Sequence, residues 1–182
     1  MKDEIVVYRS ISGFTQQYAQ WIAEELECEC IPYESMDYAT LRKYKRVIIG
    51  GCVRYEQLDN AKAIGKMIRE LPDVVLFIVG ATPMTDRFST GYMLRKTYRQ
   101  SPHFKYVPHF YFQGGVRIER LCRRERILLK IMARIIELGP IFNQDMKAAA
   151  RRMRSSADFS NRENIGALVE YVKAGRDFPI EA

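Results

Sequence analysis

Three short segments of the chain are apolar almost without interruption: Ile5-Val6-Val7-Tyr8, Val47-Ile48-Ile49-Gly50 and Val74-Val75-Leu76-Phe77-Ile78-Val79. A strand with one wetted face alternates polar and apolar side chains, whereas a strand with no polar face has to be covered on both sides. Helices supply such cover. Between the first two runs, Phe14, Tyr18, Trp21, Ile22 and Leu26 fall at i, i+4, i+7, i+8 and i+12, one face of a 3.6-residue period. Further helices are predicted near 60–71, where Pro72 ends the pattern, and over 90–99, 121–138 and 161–174. A short strand near 28–33 contains Pro32, and one over 107–112 contains Pro108, so both are edge strands. Strands alternating with helices predict right-handed crossovers and a doubly wound α/β sandwich. The expectation is a five-stranded parallel sheet of order 2-1-3-4-5 with helices on both faces. At 182 residues the chain is read as a single domain, 1–182, carrying a basic, apolar insertion at about 114–154.

Charge divides the chain unevenly. Residues 87–154 hold 16 of the 29 Lys and Arg but 4 of the 22 Asp and Glu, a local balance of +12 against +7 for the whole chain. An anionic membrane surface or an acidic partner would suit such a region. Nucleic acid is not expected, because the stretch carries no recognised binding module. Cys28, Cys30, Cys52 and Cys122 are too few and too irregular for a disulfide framework, and Cys28-x-Cys30 is not the CxxC spacing. With only His103 and His109 beside them, no metal site is expected. Reduced thiols point to the cytoplasm. The N-terminus shows no basic segment leading into a long apolar one, and the longest apolar run is far short of the ~20 residues of a spanning helix. Attachment to the inner face of the membrane remains the one membrane role expected. No Ser-His-Asp or Cys-His constellation can be assembled, and the acids Asp37, Glu56, Asp59 and Asp86 form no evident pair. Catalytic residues therefore stay unassigned.

In a sheet of this order a ligand sits beyond the carboxyl ends of the strands, at the switch point between the first and third. The first such loop is Ser10-Ile11-Ser12-Gly13-Phe14-Thr15, which joins a strand directly to a helix. Three hydroxyls and a run of N–H groups at a helix N-terminus make a phosphate nest. The loop is neither GxGxxG nor a Walker A sequence, and without the Walker lysine it suits a mononucleotide phosphate. A serine-rich turn with Ser12 as an ordinary helix cap would read the same way.

Ser10-x-Ser12-Gly13-x-Thr15 resembles the phosphate loop of the flavodoxin-like FMN-binding family. Val47-Ile48-Ile49-Gly50-Gly51-Cys52-Val53-Arg54-Tyr55 is similar to a segment of its menaquinone-dependent protoporphyrinogen oxidase branch, as is Gly114-Gly115-Val116-Arg117-Ile118 with the basic, apolar run behind it. Glu56-Gln57 stand where those oxidases carry a small residue and a histidine. The resemblance spans about residues 4–136. It implies FMN as cofactor, its phosphate held by Ser10, Ser12, Thr15 and the N–H groups near Gly13 and Phe14, with Ile11 in the same loop. It also implies an isoalloxazine flanked by Cys52, Val53, Arg54 and Tyr55, by Thr82, and by Gly115, Val116 and Arg117. Tyr55 would stack on the ring, and Arg54 or Arg117 would stand near its N1. Cys52, with no base beside it in the motif, is read as an inert thiol.

Three functional classes stay open: a substrate-to-quinone oxidoreductase, an electron carrier serving a redox partner protein, and a flavin-free binding module. Residues 117–138 bear on the choice. They interleave Arg117, Arg120, Arg123, Arg124, Arg126, Lys130 and Arg134 with leucines, isoleucines and a methionine. On a helix, Arg123, Arg126, Lys130, Arg134 and Glu137 share one face and leave a broad apolar one. The pattern fits either a helix packed on the sheet or one docked peripherally on a membrane.

Overall fold

The computed structural model describes residues 2–120, 122–140, 147 and 156–175. Five parallel strands form the sheet: β1 (Lys2–Tyr8), β2 (Glu29–Pro32), β3 (Tyr44–Arg54), β5 (Val74–Gly80) and β6 (His109–Gln113). A two-residue strand, β4 (Gln57–Leu58), folds back antiparallel on the end of β3. The spatial order is β2-β1-β3-β5-β6, which is the expected 2-1-3-4-5 once the β4 hairpin is set aside.

The uninterrupted apolar runs are explained by two cores. Ile5, Val7, Val47, Ile49, Leu76 and Ile78 enter one, and the residues between them, Val6, Ile48, Val75, Phe77 and Val79, enter the other. Against the first face pack α3 (Ala61–Glu70) and α4 (Arg87–Gln100), through Ile64, Met67 and Met93. Against the second pack α1 (Phe14–Glu25) and the last described helix, α6 (Gly166–Ala174). Each fully buried Ile, Leu or Phe contributes about 1.5–3 kcal/mol, so both faces drive folding. A short helix, α2 (Tyr38–Leu41), precedes β3.

Element ends follow local chemistry. Helix α3 stops because Leu71 precedes Pro72 and is extended (φ −106°, ψ 144°). Helix α4 begins three residues earlier than the periodicity indicated, because the Asp86 carboxylate accepts the Ser89 N–H at 3.0 Å and caps it. The last strand begins at His109, after Pro108 rather than around it. Proline has no N–H for the ladder, yet its carbonyl still accepts the Leu76 N–H at 2.9 Å. The helix expected over 161–174 opens as a 3₁₀ turn, Arg162–Ile165, before α6.

The basic segment becomes β7 (Gly115–Val116), a 3₁₀ turn (Ile118–Arg120) and α5 (Arg123–Leu138). Leu121 and residues 141–146 and 148–154 of the expected insertion lie outside the described residues. Strand β7 pairs antiparallel with β8 (Ala157–Asp158), a small second sheet that no sequence signal indicated. Tyr18 locks this end of the molecule. Its hydroxyl donates to the Gln113 carbonyl (2.7 Å) and accepts from the Asn161 N–H and the Asn164 amide (both 3.1 Å). Its ring stacks on Phe112 at 5.0 Å. The chain leaving β6 is thereby fixed to α1 and to the approach to α6.

Candidate functional site

The loops that follow β1, β3, β5 and β6 enclose a cavity of about 280 Å³ at the carboxyl end of the sheet. From the first loop it is lined by Ile11, Ser12, Phe14 and Thr15, and from the second by Cys52, Val53, Arg54 and Tyr55. Val79, Gly80 and Ala81 form its floor, and Gly115, Val116 and Arg117 its far side. Of the residues singled out from sequence, Ser10, Gly13 and Thr82 do not line it. Ser10 and Gly13 shape the loop from behind, since the Ser10 hydroxyl accepts the Gly13 N–H at 3.0 Å. Thr82 lines a neighbouring cavity.

Gly13, not Ser12, is the N-cap of α1. It adopts φ 95°, ψ −13°, and no side chain caps the helix. The first-turn N–H groups, which have no acceptor within a helix, are therefore left for a ligand. A β-carbon on Gly13 would lie 2.7 Å from Nη1 of both Arg117 and Arg120. Two guanidinium groups thus crowd the positive end of the helix. The Arg117 guanidinium lies over the Phe14 ring, 4.4 Å from its centroid, and Nη2 is 3.3 Å from Gln17 Oε1 and 3.6 Å from Asp158. It lines the cavity together with the loop that follows β1. Among the described residues no acid pairs with the Arg120 guanidinium.

At the other end, Arg54 donates from Nε and Nη2 to Glu125 Oε1 of α5 (2.9 and 2.5 Å) and lies 5.1 Å from the Tyr55 ring centroid. Burial acts to raise the Glu125 carboxyl, but the Cys122 N–H and the Arg54 guanidinium outweigh it and hold the group below its ordinary range. Tyr55 stands at the mouth, 59% exposed. Cys52 is buried, and burial pushes its thiol up to about 11, so it is not a thiolate at neutral pH. His109 is held between the Tyr98 hydroxyl (3.3 Å) and the Val107 carbonyl (3.0 Å), away from the cavity. No cluster of His, Cys, Asp and Glu suited to a metal occurs among the described residues.

Sequence reasoning missed Arg120 and the wall supplied by α5, namely Glu125, Leu128, Leu129 and Met132. Arg120 follows Arg117 by three residues in a 3₁₀ turn, where side chains three apart eclipse. That spacing was the available signal. For α5, the spacing of those four residues marks one helix face, but nothing in the pattern says which partner that face meets.

The donor set fits an organic phosphate with an apolar body. Uncapped N–H groups and two guanidinium groups stand at one end, with an apolar trough and an aromatic residue at the other. Comparison with solved structures returns a flavodoxin from the domain Archaea (11% identity, TM-score 0.43, covering 93% of this chain and 99% of that one). It also returns a short-chain flavodoxin associated with a non-canonical PDU bacterial microcompartment (15%, TM-score 0.41, 62% and 82%). A third is the Trp repressor binding protein from Bacillus subtilis (10%, TM-score 0.43, 84% and 98%). No curated protein sequence matches the chain. The family described as Flavodoxin domain matches residues 5–139, and the protein belongs to that family.

Proposed function

We propose that the protein is an FMN-dependent oxidoreductase that carries out electron or hydride transfer. The observation that carries this reading is the uncapped N-terminus of α1, with Gly13 at φ 95° and the Arg117 and Arg120 guanidinium groups beside it. A phosphate dianion would be held there by first-turn N–H groups and by two charges, interactions that contribute about 1.5–3 kcal/mol each. Ser12 and Thr15 would add hydroxyl donors, and the segment Cys52–Tyr55 would flank the ring. When bound, the isoalloxazine supplies the redox chemistry. The chain's own part is to orient it and to set its surroundings.

The apolar wall of Leu128, Leu129 and Met132 favours an apolar reaction partner, and we infer transfer from a substrate to a quinone at a membrane surface. An electron carrier with no small-molecule substrate is the second reading. The exposed Tyr55 at the cavity mouth, able to meet a docked protein, favours it. Purified protein titrated with FMN, riboflavin and FAD is the test. Flavin absorbance bands with FMN bound far more tightly than riboflavin are expected. Equal affinity for FMN and riboflavin, or no uptake of either, would overturn the reading. Oxidation of porphyrinogen by the FMN-loaded protein with menaquinone as acceptor then separates enzyme from carrier.

A further inference from the structure

Beside the cavity described above lies a second one of about 530 Å³, within the range of small-molecule sites. The two share Val53 and Ala81 as walls. Between them runs the turn Tyr55-Glu56, whose residues have φ 51° and 59°. Arg54 pairs with Gln57, so this is a two-residue hairpin with positive φ at both central positions, a turn that Asn-Gly makes without strain. Left-handed backbone at residues of this type is strained. The conformation places Tyr55 on the first cavity and Glu56 on the second. Lys96 of α4 braces it, donating to the Glu56 carboxylate at 2.9 Å and to the Tyr55 carbonyl at 3.5 Å.

The second cavity has aromatic walls, Phe88, Tyr92 and Tyr111. Phe88 is 79% exposed, an aromatic ring left at a cavity rim rather than in a core. Three of the lining hydroxyls have spent their one hydrogen inside the protein. Tyr111 donates to the Thr82 carbonyl (2.9 Å), Ser89 to the Asp86 carboxylate (2.7 Å) and Thr90 to the Asp86 carbonyl (2.9 Å). What they still offer is lone pairs. With the Glu56 carboxylate these make four acceptors, against the Thr82 and Tyr92 hydroxyls that also line the cavity.

We propose that this second cavity binds a flat aromatic molecule bearing N–H or O–H donors, and that it seats the electron donor of the flavin reaction. Only the second clause rests on the flavin reading. Aromatic walls select a planar ring, and spent hydroxyls select a ligand that still carries its hydrogens, the reduced partner rather than the oxidised one.

Calorimetric titration of the full chain with a dihydroxynaphthalene and with its dimethoxy ether, each with and without saturating FMN, tests this. One equivalent of the diol should bind, and the ether should bind about tenfold more weakly or worse, because it can only accept. Phe88→Ala, at a side chain too exposed to matter for folding, should weaken the diol about tenfold and leave FMN affinity unchanged. Uptake of the diol in this pattern by a chain that takes up no FMN would sustain the cavity and remove only the flavin reading. Equal binding of diol and ether would overturn the proposal, as would displacement of the diol by FMN, or Phe88→Ala binding like the parent.

Discussion

At the scale of single residues, the two guanidinium groups beside Gly13 differ in their pairing, since Arg117 has Asp158 at 3.6 Å. Arg120 makes no ion pair with any described acid and stands beside a helix N-terminus, a place where like charges repel and only an anion relieves them. Arg120→Ala should therefore weaken FMN by about tenfold or more while leaving riboflavin, which has no phosphate, unaffected. A parallel loss for both flavins would show that the side chain acts on loop structure instead. Gly13→Ala is expected to weaken FMN as well, for a different reason. The guanidinium ends 2.7 Å from its new β-carbon can swing aside, but φ 95° cannot be kept by alanine without strain. A lowered melting temperature should accompany the Gly13 change and not the Arg120 change.

At the scale of elements, the hairpin after β3 and helix α5 govern the site, and both show where sequence reading ends. The strands β1, β3 and β5 were legible because a strand buried on both faces has no polar positions. The turn from β1 into α1 was legible because hydroxyls and a glycine stood between a strand and a helix. The β4 hairpin was not, since Tyr55-Glu56 lacks the turn chemistry that signals one. Replacing Tyr55-Glu56 by Asn-Gly should stabilise the fold by about 1–2 kcal/mol, a rise in Tm of about 4 °C, and abolish the quenching of bound flavin expected of Tyr55. An unchanged Tm would mean that the turn carries no strain. Helix α5 was placed correctly along the chain, but amphipathic periodicity cannot say which face meets the protein. The structure answers with Glu125, which ties α5 to Arg54. Its carboxyl is held below the ordinary range, so the stabilisation is complete above the normal glutamate pKa and is lost as pH falls through the depressed value. Protection of the α5 amides, relative to their intrinsic exchange rates, should fall on acidification below about pH 4, and Glu125→Gln should remove that step. The same acid onset in the variant would assign it to another carboxylate.

At the scale of the whole molecule, the described part of the local +12 excess is spread over several elements, among them α4 and α5. Arg117 and Arg120 reach toward Gly13, while α5 carries Arg123, Arg124, Arg126, Lys130 and Arg134. That helix buries only Ala133, while Ile127, Ile131, Ile135 and Leu138 are each more than half exposed. Among the described residues no helix is long and apolar enough to cross a membrane. The exposed face is flanked by Arg123, Arg124 and Lys130, a pattern suited to lying in an anionic interface. Each such charge contributes about 1 kcal/mol at an anionic leaflet, and each half-exposed Leu or Ile about as much on burial. Reversible binding is the expected result, strongest at low ionic strength because the Debye length shrinks from about 30 Å at 0.01 M to about 8 Å at 0.15 M. Sedimentation with vesicles should carry the protein down with anionic lipid at low salt, release much of it at high salt, and leave it in solution with neutral lipid. Ile131→Glu puts a carboxylate in the centre of the exposed face without disturbing a buried contact, and should keep the protein in the supernatant throughout. Equal pelleting of this variant would show that charge alone brings the protein to the vesicle. A parent chain that stays in solution with both lipids would remove the membrane from the proposal and leave a soluble electron carrier.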